Sequence, residues 1–242
     1  MNTSCKLCGM HGSLVKRSHV IPQWLYAYGP MRLLTSHTSE FEQRSPTGIY
    51  GQFVCADCED KFQKLDDYAA NVLRRNPTLD TIESSSGLIR VHNFGHYDYI
   101  KLKLFYLSVL WRAYACEHHF FDELELGNYA ETLANCLLTK DKCVIDSFDV
   151  WPTYSRHIIA LGVLEPRFVS LNDVSYWQLY MPHYQVLIKV DEESSPEHLK
   201  HMMLTEGQPL YMVEKNFDEF GETEHFYNIA LANKRKKVGL SN

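Results

Sequence analysis

The sequence predicts an α+β protein in two parts. A small cysteine-stapled module occupies residues 1–78, and a larger α+β domain over residues 79–242 is built on one buried helix and a small, mostly antiparallel sheet. Three observations predict this. Two C-x2-C pairs, Cys5/Cys8 and Cys55/Cys58, bracket a stretch rich in Gly, Pro, Ser and Thr that has no long periodic segment of its own and needs a staple. Residues 97–114 (YDYIKLKLFYLSVLWRAY) are apolar nearly all the way round, as a core helix is. Beyond Trp151 the chain turns to short runs of β-branched and aromatic residues separated by Pro, Asn and Asp. A chain of 242 residues with 45% hydrophobic content can bury one ordinary core and a small satellite.

Taken in order, residues 61–75 form a helix with Phe62, Leu65, Ala69, Val72 and Leu73 on one side, stopped by Pro77. Ser84-Ser85-Ser86-Gly87 predicts a loop leading into a short strand at 88–91. The helix at 97–114 carries Lys101, Lys103 and Arg112, which suit a core helix better than a membrane span. Residues 129–138 form a further helix after the Gly127-Asn128 break. Strands are expected at 157–162, 177–181, 184–190 and 209–213. A short helix runs to Met203, with Ser195 as its cap and Pro196 at its first position. No internal repeat is visible.

The formal charge of −6 excludes a surface that grips phosphates everywhere, so any nucleic-acid contact is local. The run Lys234-Arg235-Lys236-Lys237 reads as a solvated basic end. No segment has the length to cross a bilayer and the first residues carry no signal pattern, so a cytoplasmic protein without a membrane partner is expected.

Seven cysteines in a reducing compartment, four of them in C-x2-C pairs, read as metal ligation rather than disulfides. A C-x2-C turn offers two thiolates at the separation a tetrahedral Zn2+ requires, and a single redox motif does not explain two pairs. Cys116, Cys136 and Cys143 are read as buried spectators, and Cys116, His118 and His119 match no metal motif. Arg112, on an apolar helix, must pair, and a structural ion pair is the favoured reading. Between the cysteine pairs, Ser18-His19-Val20-Ile21-Pro22 is an extended segment broken at Pro22, and the second pair runs into the acidic helix start Cys58-Glu59-Asp60. A histidine with a carboxylate nearby suits metal-assisted hydrolysis.

These motifs, in this order, resemble the zinc-containing HNH endonucleases of the treble-clef or ββα-metal class. Members run C-x2-C, a strand with a catalytic His followed by Pro, then a second C-x2-C entering the last helix. The chain is also similar to a subgroup with S-H-x-I-P, C-x-x-C-E and a downstream L-S-x-x-W-R helix, met here by Leu107-Ser108-Val109-Leu110-Trp111-Arg112.

The resemblance implies a metal-dependent endonuclease that hydrolyses phosphodiester bonds of DNA, with RNA as the other polymer left open. His19 is then the general base and Glu59 the ligand of a catalytic Mg2+ or Mn2+, on a structural Zn2+ held by Cys5, Cys8, Cys55 and Cys58. Lys16 and Arg17 flank this site and suit phosphates, and Gln52 stands in for a base-orienting Asn. Three departures bear on activity. Ser18 stands where many members place Asp or His, no Asn lies between Asn2 and Asn71, and Glu59 replaces a His. The resemblance also implies a role in phage defence and a C-terminal domain that selects substrate or a protein partner. Two readings stay open beside the nuclease. One is a catalytically inactive treble clef that binds nucleic acid or a protein. The other is an adaptor whose Tyr- and Trp-rich sheet makes the contacts.

Overall fold

A computed structural model describes residues 4–28, 33–35, 43–44, 48–84, 87–155 and 162–215. Four short strands come first: β1 (Ser18–His19), β2 (Leu33–Thr35), β3 (Gln43–Arg44) and β4 (Tyr50–Gly51), with a 3-10 helix, Gln23–Tyr28, between β1 and β2. Helix α1 (Ala56–Leu73) follows, then a hairpin of β5 (Thr78–Ser84) and β6 (Gly87–Asn93), then the central helix α2 (Tyr99–Ala115). Helices α3 (Tyr129–Thr139) and α4 (Lys142–Asp146) lead to strands β7 (Val150–Tyr154), β8 (Gly162–Leu171), β9 (Val174–Met181) and β10 (Tyr184–Lys189). The one-turn helix α5 (Glu197–Lys200) and strand β11 (Tyr211–Val213) complete the described elements. The architecture is α+β with mostly antiparallel sheets. None of the described helices is long and apolar enough to cross a membrane.

Three sheets are present among the described residues: β1-β4, β11-β6-β5, and a six-stranded sheet in the order β3-β2-β8-β9-β10-β7. The one parallel pairing among them joins β2 to β8, Leu33 opposite Gly162, so a strand from between the two cysteine pairs extends the sheet of the C-terminal half. Buried side chains from Cys5 to Met212 form one contiguous cluster around α2, which buries thirteen residues. Strand β11 is fixed to β6 by Glu214, which pairs with Arg90 at 3.3 Å and with the fully buried His92.

Several elements differ from the expectation for physical reasons. Helix α1 begins at Ala56 rather than Lys61, because Cys55 takes the extended N-cap conformation and acidic Asp57 and Glu59 favour the first turn. Strand β5, which ends where the loop at 84–87 was expected to begin, was not anticipated, because its polar composition (TLDTIES) hides an exposed edge strand. Strands β7 and β8 and helix α4 were not anticipated, whereas β9 and β10 were. Pro196, not Ser195, is the N-cap of α5. Ser195 instead accepts from Tyr176 Oη at 2.8 Å and donates to Asp149 at 2.6 Å. Cys143 is exposed, so it is not a buried spectator; Cys136 is buried and Cys116 half-buried. Most of the strand expected at 157–162 and the basic run at 234–237 lie outside the described residues.

Candidate metal centre and the adjoining cleft

Tight turns bring each cysteine pair together. Gly9 N donates to the Cys5 carbonyl at 2.8 Å, and Gly9 takes a φ of 74°, a left-handed conformation that glycine adopts without a Cβ penalty. The second pair straddles the start of α1, with Cys55 at the cap and Cys58 in the first turn. Main-chain bonds from Lys6 N to Phe53 O (2.9 Å) and from Val15 N to Val54 O (2.8 Å) draw the two halves together.

The four sulfurs of Cys5, Cys8, Cys55 and Cys58 lie within 4.8 Å of one another, and Cys8 Sγ is 3.8 Å from Cys55 Sγ. Zn–S bonds of ~2.3 Å in a tetrahedron place sulfurs ~3.8 Å apart, so the donor set and its size fit a structural zinc ion. Cys5 and Cys58 are buried and the other two half-buried, which suits a closed structural shell. Burial opposes ionisation of Cys5, but main-chain hydrogen bonds at Cys8, Cys55 and Leu7 outweigh it and bring the thiol down to about 7. Burial and the neighbouring thiols push Cys58 up.

Beside this centre, β1 and β4 pair antiparallel with Ser18 opposite Gly51 and His19 opposite Tyr50, and α1 follows directly. A cleft of about 590 Å³ opens between them. His19 from β1, Trp24 from the 3-10 helix, and Glu59, Gln63, Asp66 and Asp67 from α1 line its walls. His19 and Glu59, both expected from the sequence to belong to the site, line this cleft. Gln63, Asp66 and Asp67 were missed, although their spacing from Glu59 puts all four on one helical face. Gln52 is not among the lining residues; it is exposed and its Nε2 approaches the Leu14 carbonyl at 3.5 Å. Lys16 and Arg17 are exposed outside the lining, and the Arg17 guanidinium lies 4.4 Å from the centroid of the Tyr50 ring.

Two of the three carboxylates that line the cleft, Glu59 and Asp66, already have protein partners. Ser18, fully buried, donates from Oγ to Glu59 Oε2 at 2.5 Å. Both oxygens of Asp66 accept from Arg112, at 2.9 Å from Nη1 and 2.7 Å from Nη2. Burial holds the Asp66 carboxyl above the usual carboxylate range, and the Arg112 charge pulls against it. Arg112 comes from α2, and the ion pair expected for it is present; its partner on α1 was not foreseen. Comparison with protein-family models, curated proteins and solved structures finds no match to this chain.

Proposed function

We propose that this chain is a zinc-stapled module of the treble-clef kind that binds nucleic acid at the rim of the His19 cleft without cleaving it. Residues 1–78 carry the metal centre and the cleft, and residues 79–242 select the substrate or partner. The observation that carries this reading is the prior commitment of the carboxylates: Glu59 accepts from Ser18 and Asp66 is gripped by Arg112. A hydrolytic Mg2+ or Mn2+ needs several carboxylate oxygens turned toward it, and both oxygens of Asp66 and Oε2 of Glu59 already accept from the protein itself, which weakens the hold of this cleft on such an ion. At the rim, Arg17 stacked on Tyr50, with exposed Lys16 beside it, supplies a cation and an aromatic face for phosphate and base.

The test is binding of a fluorescein-labelled DNA oligonucleotide across a salt series, with an RNA of the same sequence in parallel. Arg17→Ala and Lys16→Ala each weaken binding and reduce the salt slope by about 1. Wild-type protein that shows no salt-dependent binding removes the reading.

The co-location of His19 and Glu59 in one open cleft with Asp67 favours a second reading, the endonuclease. There His19 would take the proton from the attacking water, and Glu59, released from Ser18, would hold a divalent cation whose chemistry would be to neutralise charge on the phosphate. Plasmid nicking with Mg2+ or Mn2+ that is lost in His19→Ala at unchanged zinc content selects this reading over the first.

A further inference from the structure

We infer that Arg112 is a positioning residue for His19: through its guanidinium, α2 sets the main-chain geometry of the strand that presents the imidazole to the cleft. The inference deepens the reading of the cleft as the working site and rests on it. All five N–H groups of this side chain are used. Nε donates to Ser108 O at 3.3 Å; Nη1 donates to His19 O at 3.0 Å and to Asp66 Oδ2 at 2.9 Å; Nη2 donates to Asp66 Oδ1 at 2.7 Å and to Ser108 Oγ at 3.2 Å. A guanidinium has five donors in a fixed plane, so the side chain, 1% exposed, is saturated and has one orientation. Ser108 Oγ is fixed in turn by donating to the Phe105 carbonyl at 2.7 Å, and the guanidinium carbon lies 5.1 Å from the centroid of the Phe62 ring.

The need for such a clamp follows from β1. It is two residues long and among the described residues pairs with β4, itself two residues long, and a ladder of that size holds little by itself. Three outside contacts supply what the ladder lacks. Ser18 Oγ reaches Glu59 on α1, Val20 N donates to Ile49 O at 3.0 Å just past the end of the ladder, and Arg112 Nη1 donates to the His19 carbonyl. Among these, the Arg112 contact bears on His19 itself, and it ties that residue to the Asp66 carboxylate of the same cleft. Trp111, the preceding residue, packs its ring against Phe53 (centroids 6.2 Å apart) and Phe62 (6.0 Å), which seats α2 beside the start of α1. A lysine at position 112 keeps the charge but not the fork, so it cannot hold Asp66 and the His19 carbonyl together.

The experiment uses the full chain, isotopically labelled, as wild type, Arg112→Lys and Asp66→Asn, the latter an isosteric change that leaves one acceptor oxygen where Arg112 now meets two. Zinc per chain and circular dichroism report the scaffold. The carbonyl carbon and imidazole resonances of His19 report its placement, and the labelled DNA oligonucleotide reports binding. In both variants the His19 resonances move while zinc content and the resonances of Cys5 and Cys58 stay in place, and oligonucleotide affinity falls by about tenfold or more. A merely structural role for Arg112 lowers the unfolding midpoint and leaves the His19 resonances of the folded protein unmoved; that result in either folded variant overturns the inference. Displaced His19 resonances in a series where even wild type fails to bind the oligonucleotide uphold the clamp and reject the nucleic-acid reading.

Discussion

Lys103 lies on the buried face of α2, 3% exposed, with its amine donating to Tyr99 Oη at 2.6 Å and 4.0 Å from Asp146. Burial brings its pKa down from the usual 10.5 to about 8 against the pull of Asp146. The folded-state value lies below the unfolded one, so the unfolded chain binds more protons between about pH 8 and pH 10.5. The stability tied to this group is present above the unfolded value and is lost as pH falls through about 8, by on the order of 3 kcal/mol. Lys103→Met therefore stabilises most near neutral pH, and its advantage over wild type shrinks as pH rises toward about 10; paired urea titrations check this. The sequence shows the same limit at Lys103 and Arg112. That a cation on an apolar helix must find partners was legible, but which carboxylate answers was not, because Asp66 lies 46 residues away in the chain.

Helix α2 depends on its own local code as well as on packing. Asp98 is its N-cap, accepting from Lys101 N at 3.1 Å. Burial works against the Asp98 carboxylate, but the Lys101 main-chain N–H and ammonium outweigh it and hold the group below the usual carboxylate range. Asp98→Ala costs about 1 kcal/mol, roughly 2–4 °C in the thermal midpoint, with no change in zinc content. This helix and α3 were readable from apolar patterning, and both fall within two residues of the expected bounds. The start of α1 was less so, because a cysteine cap resembles none of the usual Ser, Thr, Asp or Asn signals. Strand β5 was hidden for another reason: as a sheet edge whose described side chains are all exposed, it carries no inward apolar alternation to detect.

Across the whole molecule, the metal centre and the C-terminal sheet share one core. Buried residues run from Cys5 through α2 to Met212 without a break, and β2 lies beside β8 in the large sheet. Removing zinc with a chelator therefore lowers the unfolding midpoint of the whole chain in one calorimetric transition rather than melting a separate N-terminal unit, and Cys55→Ser does the same without chelator. Two separate transitions, the later one insensitive to chelation, would show that the halves unfold independently. By itself the sequence pointed to the two C-x2-C pairs as one cluster able to hold a metal and to the long core helix, and its motif resemblance named His19 and Glu59, which line one cleft. Each C-x2-C pair and the apolar helix are encoded within short windows, where the ligand geometry of zinc and the helical repeat act directly, and the shared ligand chemistry links the two distant pairs. Only the tertiary structure decided that Ser18 engages Glu59, that Arg112 joins Asp66 to the His19 carbonyl, and that a strand from between the cysteine pairs completes the distant sheet. Such contacts are selected by the packing of elements far apart in the chain, and no local pattern records them.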